Sequence, residues 1–243
     1  MLLAIDVGNT RIKCALFEDD TIIELFVFDK NEFKNNFKII IENNNKIKYL
    51  VISSVGNLTK LDFMEIRSDL EINFITNLSD FPFKNLYKTP KTVGIDRLVL
   101  SSGAVLQFPN KNRLVIDAGT CVTYDFVSQE NQYLGGAISP GINLRYLALH
   151  NYTAKLPLLD KEIPADLIGN TTDQSIHSGV INGIVNEIDG FIDQYRERYS
   201  NFIIILTGGD AVFLANRLKN TIFANPNFLL ESLNQTFQYI NQK

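Results

Sequence analysis

The sequence predicts an α/β protein of two related domains, each a mixed sheet flanked by helices, facing each other across a cleft. Three observations carry this. The stretch from Leu2 to Thr76 reads β-β-β-α-β-α-β, and the opening of that order returns near Leu114. In both places an apolar strand ends on an acid, followed by a glycine turn and a hydroxyl, as Asp6-x-Gly8-x-Thr10 and as Asp117-x-Gly119-Thr120. Internal similarity of this kind outranks any local propensity. A chain of 243 residues, 45% hydrophobic and 21% charged, is in the range of one large domain or two, the latter of about 120 residues each.

The elements follow in order. Leu2 to Val7 is an apolar run that stops at Gly8-Asn9; Ile12 to Phe17 and Thr21 to Phe28 follow, the last after Asp19-Asp20. Short β-rich runs punctuated by turn residues predict a three-stranded antiparallel meander. Next come a helix from Asn31 to about Glu42, a strand from Tyr49 to Val55, a helix near Leu61 to Asp69 and a strand from Ile72 to Thr76. A helical run from Leu98 to Leu106 closes the first half. The second half opens with Leu114 to Thr120, then Val122 to Val127 and Tyr133 to Ile138. From Thr172 to Tyr199 the apolar residues recur at helical spacing, with Gly179 and Gly183 four apart. That pair either admits a close helix backbone or is simply tolerated. A strand from Phe202 to Leu206 runs into Thr207-Gly208-Gly209-Asp210 and a helix from about Ala211 to Leu218. The repeat places the domains at residues 1–112 and 113–243.

Composition narrows the function classes. The formal net charge is −4 with scattered basic residues, unlike the basic footprint of a nucleic-acid binder. No stretch of about 20 apolar residues suggests a membrane span, and Met1 to Ile5, cut short by Asp6 without a basic leader, argues against a secretory signal. Cys14 and Cys121 form no pair motif and, with two histidines in the chain, no conventional zinc site. A cytoplasmic protein is expected.

Chemistry concentrates in a few segments. A tight glycine turn meets a terminal phosphate by aiming backbone N–H groups and short hydroxyls at its oxygens. Asp6-Val7-Gly8-Asn9-Thr10-Arg11-Ile12-Lys13 has those parts: Gly8 permits the turn, Asn9 and Thr10 donate, Lys13 adds positive charge, and Asp6 suits a hydrated Mg²⁺. A hairpin turn alone would account for one such string, but the second copy at Asp117 weakens that reading. Neither G-x-x-x-x-G-K-[ST] nor G-x-G-x-x-G is present, so any nucleotide site is of another kind. The Thr207-Gly208-Gly209 turn either lets backbone approach a ligand or joins a strand to a helix. In Gly94-Ile95-Asp96-Arg97, Asp96 is either a helix cap or a carboxylate that takes the proton of an attacking hydroxyl, and Arg97 suits an anionic substrate or developing phosphoryl charge. His150 and His177 read as structural, Cys121 as an apolar filler, and no G-x-S-x-G elbow supports acyl transfer.

Taken together these motifs resemble the type III pantothenate kinases. The resemblance runs through Asp6-x-Gly8-Asn9-Thr10-x-x-Lys13, Gly94-x-Asp96-Arg97, Asp117-x-Gly119-Thr120, Tyr133 to Gly141, Ile168 to Thr172 and Thr207-Gly208-Gly209, covering nearly the whole chain. It implies duplicated actin-like ATPase domains of ribonuclease H-like fold, ATP with Mg²⁺ bound between them, pantothenate as phosphoryl acceptor, and a homodimer. By position it implies that Asp6 to Lys13 and Thr120 meet ATP and that Asp117 meets K⁺ or NH₄⁺. Tyr87, Gly94, Ile95, Asp96, Arg97 and Thr172 would line the pantothenate pocket, with Asp96 as base. Cys121 and Ser232 depart from the family's common alanine and glycine. The rival readings are a related kinase for another small hydroxylated acid and an ATP-binding regulator without turnover.

Overall fold

The computed structural model describes residues 1–8, 11–54 and 60–242. The chain divides into two compact units, one of residues 1–109, 131–133 and 227–243, the other of residues 110–130 and 134–226.

The first unit is built around β1 (Leu2–Val7), whose two faces are both apolar. Leu3, Ile5 and Val7 pack with Phe33, Phe37, Ile40 and Ile41 of α1 (Phe33–Asn43), and Phe63 of α2 (Lys60–Met64) joins this cluster. Leu2 and Ala4 face the opposite way, toward Val99 of α3 (Ile95–Gln107) and Leu230, Leu233 and Phe237 of α8 (Phe228–Asn241). A strand buried on both faces reads as a continuous apolar run, as this one does. Its antiparallel neighbour is β2 (Arg11–Glu18), which pairs onward with β3 (Thr21–Asp29); on its other side lie β4 (Tyr49–Ser54) and β5 (Glu71–Phe74), both parallel. The sheet order is therefore β3-β2-β1-β4-β5. The short β6 (Lys84–Asn85) pairs with Gln132 and Tyr133.

The second unit repeats this plan. β7 (Asn112–Ala118) is antiparallel to β8 (Cys121–Val127) and parallel to β10 (Phe202–Thr207), which is parallel to β11 (Phe223–Ala224); β9 (Gln132–Pro140) lies beyond β8. The order β9-β8-β7-β10-β11 reproduces that of the first sheet. Leu114, Ile116 and Ala118 pack against Ile176, Val180, Ile184 and Ile188, residues of the long helix expected over 172–199. That helix is present with one departure: α5 (Thr172–His177) and α6 (Gly183–Arg198) are joined by a π turn, Ser178–Asn182. The wider turn shifts the apolar stripe, an adjustment that periodicity alone does not reveal. α4 (Ile142–Asn151) and α7 (Ala211–Ala215) complete the unit.

Residues 227–243 pack in the first unit although they close the second repeat in sequence. The reason lies in α3 and α8, which touch along a small-residue seam. A Cβ built on Gly103 would lie 1.9 Å from Ser232 Oγ and 2.5 Å from Ser232 Cβ, and Thr236 Oγ1 donates to Ser102 Oγ at 2.7 Å. Gly103→Ala should therefore cost about 1–3 kcal/mol by overpacking. Ser232→Gly in the same chain should restore part of that loss; additive losses in a urea-unfolding double-mutant cycle would separate the two positions.

Candidate active site

Asp6 stands next to last on β1, on the face that looks toward α3 and α8. Its directly opposed residues are Lys13 on β2 and Ser53 on β4. Opposed residues share a face with Cβ atoms about 5 Å apart, so Asp6 is flanked by an ammonium on one side and a hydroxyl on the other. Ser53 Oγ donates to Asp6 Oδ1 at 2.8 Å. The glycine turn follows at once: the Gly8 N–H donates to the Arg11 carbonyl at 3.1 Å. Asn9 and Thr10, also expected at the phosphates, lie outside the described residues.

Asp96 comes to the same neighbourhood from α3. The helix cap is Gly94, which has no side chain to offer; Asp96 sits one residue inside the helix, where its Oδ1 accepts the Arg97 N–H at 2.9 Å. A Cβ on Gly94 would lie 2.4 Å from that oxygen, so glycine there leaves room for the folded-back carboxylate. Arg97 is buried, its guanidinium carbon 6.0 Å from the centre of the Tyr87 ring, within cation–π range. Ile95 begins the same helix. Asp6, Lys13, Tyr87, Gly94, Ile95, Asp96 and Arg97 thus all belong to the first unit.

Charge is not balanced at Asp6. Burial pushes its carboxyl up to about 6; the Ser53 hydrogen bond and Lys13 oppose this, and the Asp96 carboxylate adds to it. A buried carboxyl pushed up in this way, with a second carboxylate near it, is a site that a divalent cation relieves.

In the second unit Asp117 holds the position on β7 that Asp6 holds on β1. It is opposed by Thr123 on β8 and Thr207 on β10. The β10–α7 turn closes on it: Gly208 has φ +96°, and a Cβ there would lie 2.4 Å from both Asp117 Oδ1 and the Ala118 carbonyl oxygen. A side chain at 208 would be excluded twice, by backbone conformation and by space. The Gly119 N–H donates to the Cys121 carbonyl at 2.9 Å, so the second glycine turn is tied as the first is, with Thr120 exposed at its tip. Thr172 begins α5, with Thr171 as its cap accepting the Gln174 N–H at 3.2 Å.

Thr172 also lines an open groove of about 1170 Å³ between α4, the 169–172 segment and the π turn. A Cβ on Gly179 would meet nothing within 4 Å, and one on Gly183 would find only Arg145 Nη1, at 3.9 Å. Within this unit the glycine pair admits no close helix backbone. Arg145 is held at the groove by Glu187, which also accepts from the Tyr124 and Ser139 hydroxyls. His177, read as structural, is buried with Nδ1 2.8 Å from the Tyr146 hydroxyl.

Ser53, Thr123 and Glu187 escaped the sequence reading. Ser53 reaches Asp6 only through the pairing of β1 with β4, 47 residues on; the one local signal is that its strand turns polar at the end.

The comparisons with known proteins agree with one another. Residues 2–194 match the family model of type III pantothenate kinases. A protein of Flavobacterium johnsoniae named type III pantothenate kinase is 61% identical over 239 residues, 98% of each chain. Among solved structures, a conserved Campylobacter jejuni protein assigned to the Baf family of transcriptional activators aligns at TM-score 0.67 with 19% identity, over 99% of this chain and 100% of its own. A ROK family glucokinase of Streptomyces griseus, in complex with glucose and AMPPNP, aligns at 0.56 with 9% identity, over 100% and 99%. At those identities the structures speak to the fold alone, which is the actin-like fold of ATPases and sugar kinases.

The shift at Asp6 has a measurable sign. Its carboxyl is about 6 when folded against an ordinary 3.8, so the folded state holds the extra proton between those values and stability falls as pH rises through them. Asp6→Asn removes that loss. In urea unfolding without nucleotide or divalent metal, the variant should exceed the parent by about 2–3 kcal/mol at pH 8. The gap should close toward pH 4; one that ignores pH would contradict the assignment.

Proposed function

Since the chain belongs to the type III pantothenate kinase family and phosphorylates pantothenate on the route to coenzyme A, we propose that Asp96 takes the proton of the primary hydroxyl as the γ-phosphoryl group of ATP moves to it, giving 4'-phosphopantothenate. The observation that carries this is the placement of Asp96 in the first turn of α3, its carboxylate held by the Arg97 N–H and near Asp6 in the same unit. Phosphoryl transfer asks the protein for position and charge rather than covalent chemistry, and the first unit supplies both.

Asp6 to Lys13 is the phosphate segment. Gly8 bonds the Arg11 carbonyl, Lys13 offers an ammonium beside Asp6, and Asn9, Thr10 and Arg11 complete the run; Thr120 serves the nucleotide from the second turn. Asp6, carboxylate-bearing and half-buried beside a hydroxyl, fits a hydrated Mg²⁺, which keeps water and takes one or two carboxylates. Asp117 is the residue for a monovalent cation, K⁺ or NH₄⁺. When bound, the two ions neutralise charge that gathers on the phosphate oxygens.

Pantothenate is met by Tyr87, Gly94, Ile95, Arg97 and Thr172. Arg97 is a buried cation braced by Tyr87, suited to the substrate's carboxylate. Asp96 bonds the N–H of Arg97 through one oxygen, which fixes the carboxylate's direction in the first turn of α3, where the helix dipole favours negative charge. Holding a first-turn N–H and accepting a proton are thus compatible roles for one side chain.

The working unit is a homodimer in the cytoplasm. The second unit supports this with an exposed apolar surface beside the groove, where Tyr152, Leu167 and Ile168 are 89%, 71% and 81% exposed; patches of this kind mark interfaces. Among the described residues no helix is long and apolar enough to cross a membrane.

Three expectations follow. ADP release should require pantothenate and K⁺ or NH₄⁺, and Asp96→Asn should lower turnover by about 10²–10⁴-fold while nucleotide affinity holds; near-normal turnover would leave Asp96 only its hydrogen bond to the Arg97 N–H. Leu167→Glu with Ile168→Glu should turn a sedimenting dimer into a monomer, whereas an unchanged sedimentation coefficient would place the interface elsewhere.

A further inference from the structure

The strand registers of the two units correspond residue by residue around the two acids. Asp6 is opposed by Lys13 and Ser53; Asp117, one place from the end of its own central strand, is opposed by Thr123 and Thr207. Ser53 and Thr207 are both buried hydroxyls. The substitution that breaks the symmetry is at the other neighbour, where the first unit has an ammonium and the second a hydroxyl. That hydroxyl is itself anomalous: Thr123 Oγ1 is shielded from solvent and has no hydrogen-bond partner among the described residues. Leaving such an oxygen dry and unpaired costs about 1–3 kcal/mol, and each such group in a folded protein calls for a cause.

We propose that Thr123 decides the cation dependence of this enzyme: its hydroxyl oxygen, with the Asp117 carboxylate, holds a monovalent cation that stands where the Lys13 ammonium stands in the first unit. The inference rests on the assignment of Asp117 to a monovalent cation and adds the ligand and its reason. One carboxylate with neutral oxygens matches a singly charged ion, which hydroxyl and carbonyl oxygens can coordinate in place of water. Duplication thus left two versions of one charge arrangement, one with the positive charge covalently attached and one with it borrowed from solution.

The test exchanges the two versions. Binding of AMPPNP with Mg²⁺ is measured by calorimetry at constant ionic strength, with KCl replacing tetramethylammonium chloride, for the parent, Thr123→Lys and Thr123→Val; thermal unfolding in the same salts gives a second readout. The parent should gain affinity with K⁺. Thr123→Lys should bind without responding to K⁺, its ammonium supplying the charge, and Thr123→Val should need at least about tenfold more K⁺ for half the effect. If the parent responds and both variants respond at the parent's K⁺ concentration, Thr123 is no ligand and the inference falls while Asp117 keeps its role. A parent indifferent to K⁺ would remove the assignment of Asp117 and this inference with it. Should Thr123→Lys fail to unfold cooperatively, Thr123→Val decides alone.

Discussion

An acidic side chain drawn out of water at the end of a central strand is the constraint from which the rest of this structure follows. Asp6 belongs to a strand buried on both faces, and its carboxylate is held there by Ser53, opposed by Lys13 and pressed by Asp96. Removing a carboxylate from water is costly unless charge or hydrogen bonds compensate. The sheet can place only one residue on each side of Asp6, so the compensation must come from β2, from β4 and from whatever binds. A buried carboxyl of this kind favours a ligand that brings positive charge with it.

The same constraint explains why the fold is duplicated with variations. Both units place an acid next to last on the central strand, follow it with a glycine turn and flank it with a buried hydroxyl on the parallel neighbour. They differ at the antiparallel neighbour, Lys13 against Thr123, and at the turn that crowds the acid, since only Asp117 has Gly208 closing on it. Strand order is shared because it fixes what opposes the acid, while the opposing side chains themselves are free to diverge.

Much of this was legible in the sequence. The apolar runs ending at Asp6 and Asp117 gave the central strands, and the glycine turns gave the repeat. The Thr172–Tyr199 stripe was visible because its period persists on either side of the π turn. What stayed hidden was whatever depends on pairing between distant segments. Ser53 and Thr123 are ordinary polar residues until the register sets each beside an acid, and α8 looks like the tail of the second repeat until the seam of Gly103, Ser102, Ser232 and Thr236 joins it to α3. The spacing of Gly179 and Gly183 left open whether a helix backbone lies against them, because spacing does not say what faces a groove.

Asp6 carries a raised carboxyl because it is buried and Asp96 stands near it, and a carbon-detected NMR titration of the aspartate carboxyls tests this without turnover or ligand. The Asp6 carboxyl should titrate near 6 and move toward the ordinary range when Asp96 is replaced by Asn. An Asp6 that titrates like a surface aspartate, and that ignores the replacement, would contradict the account.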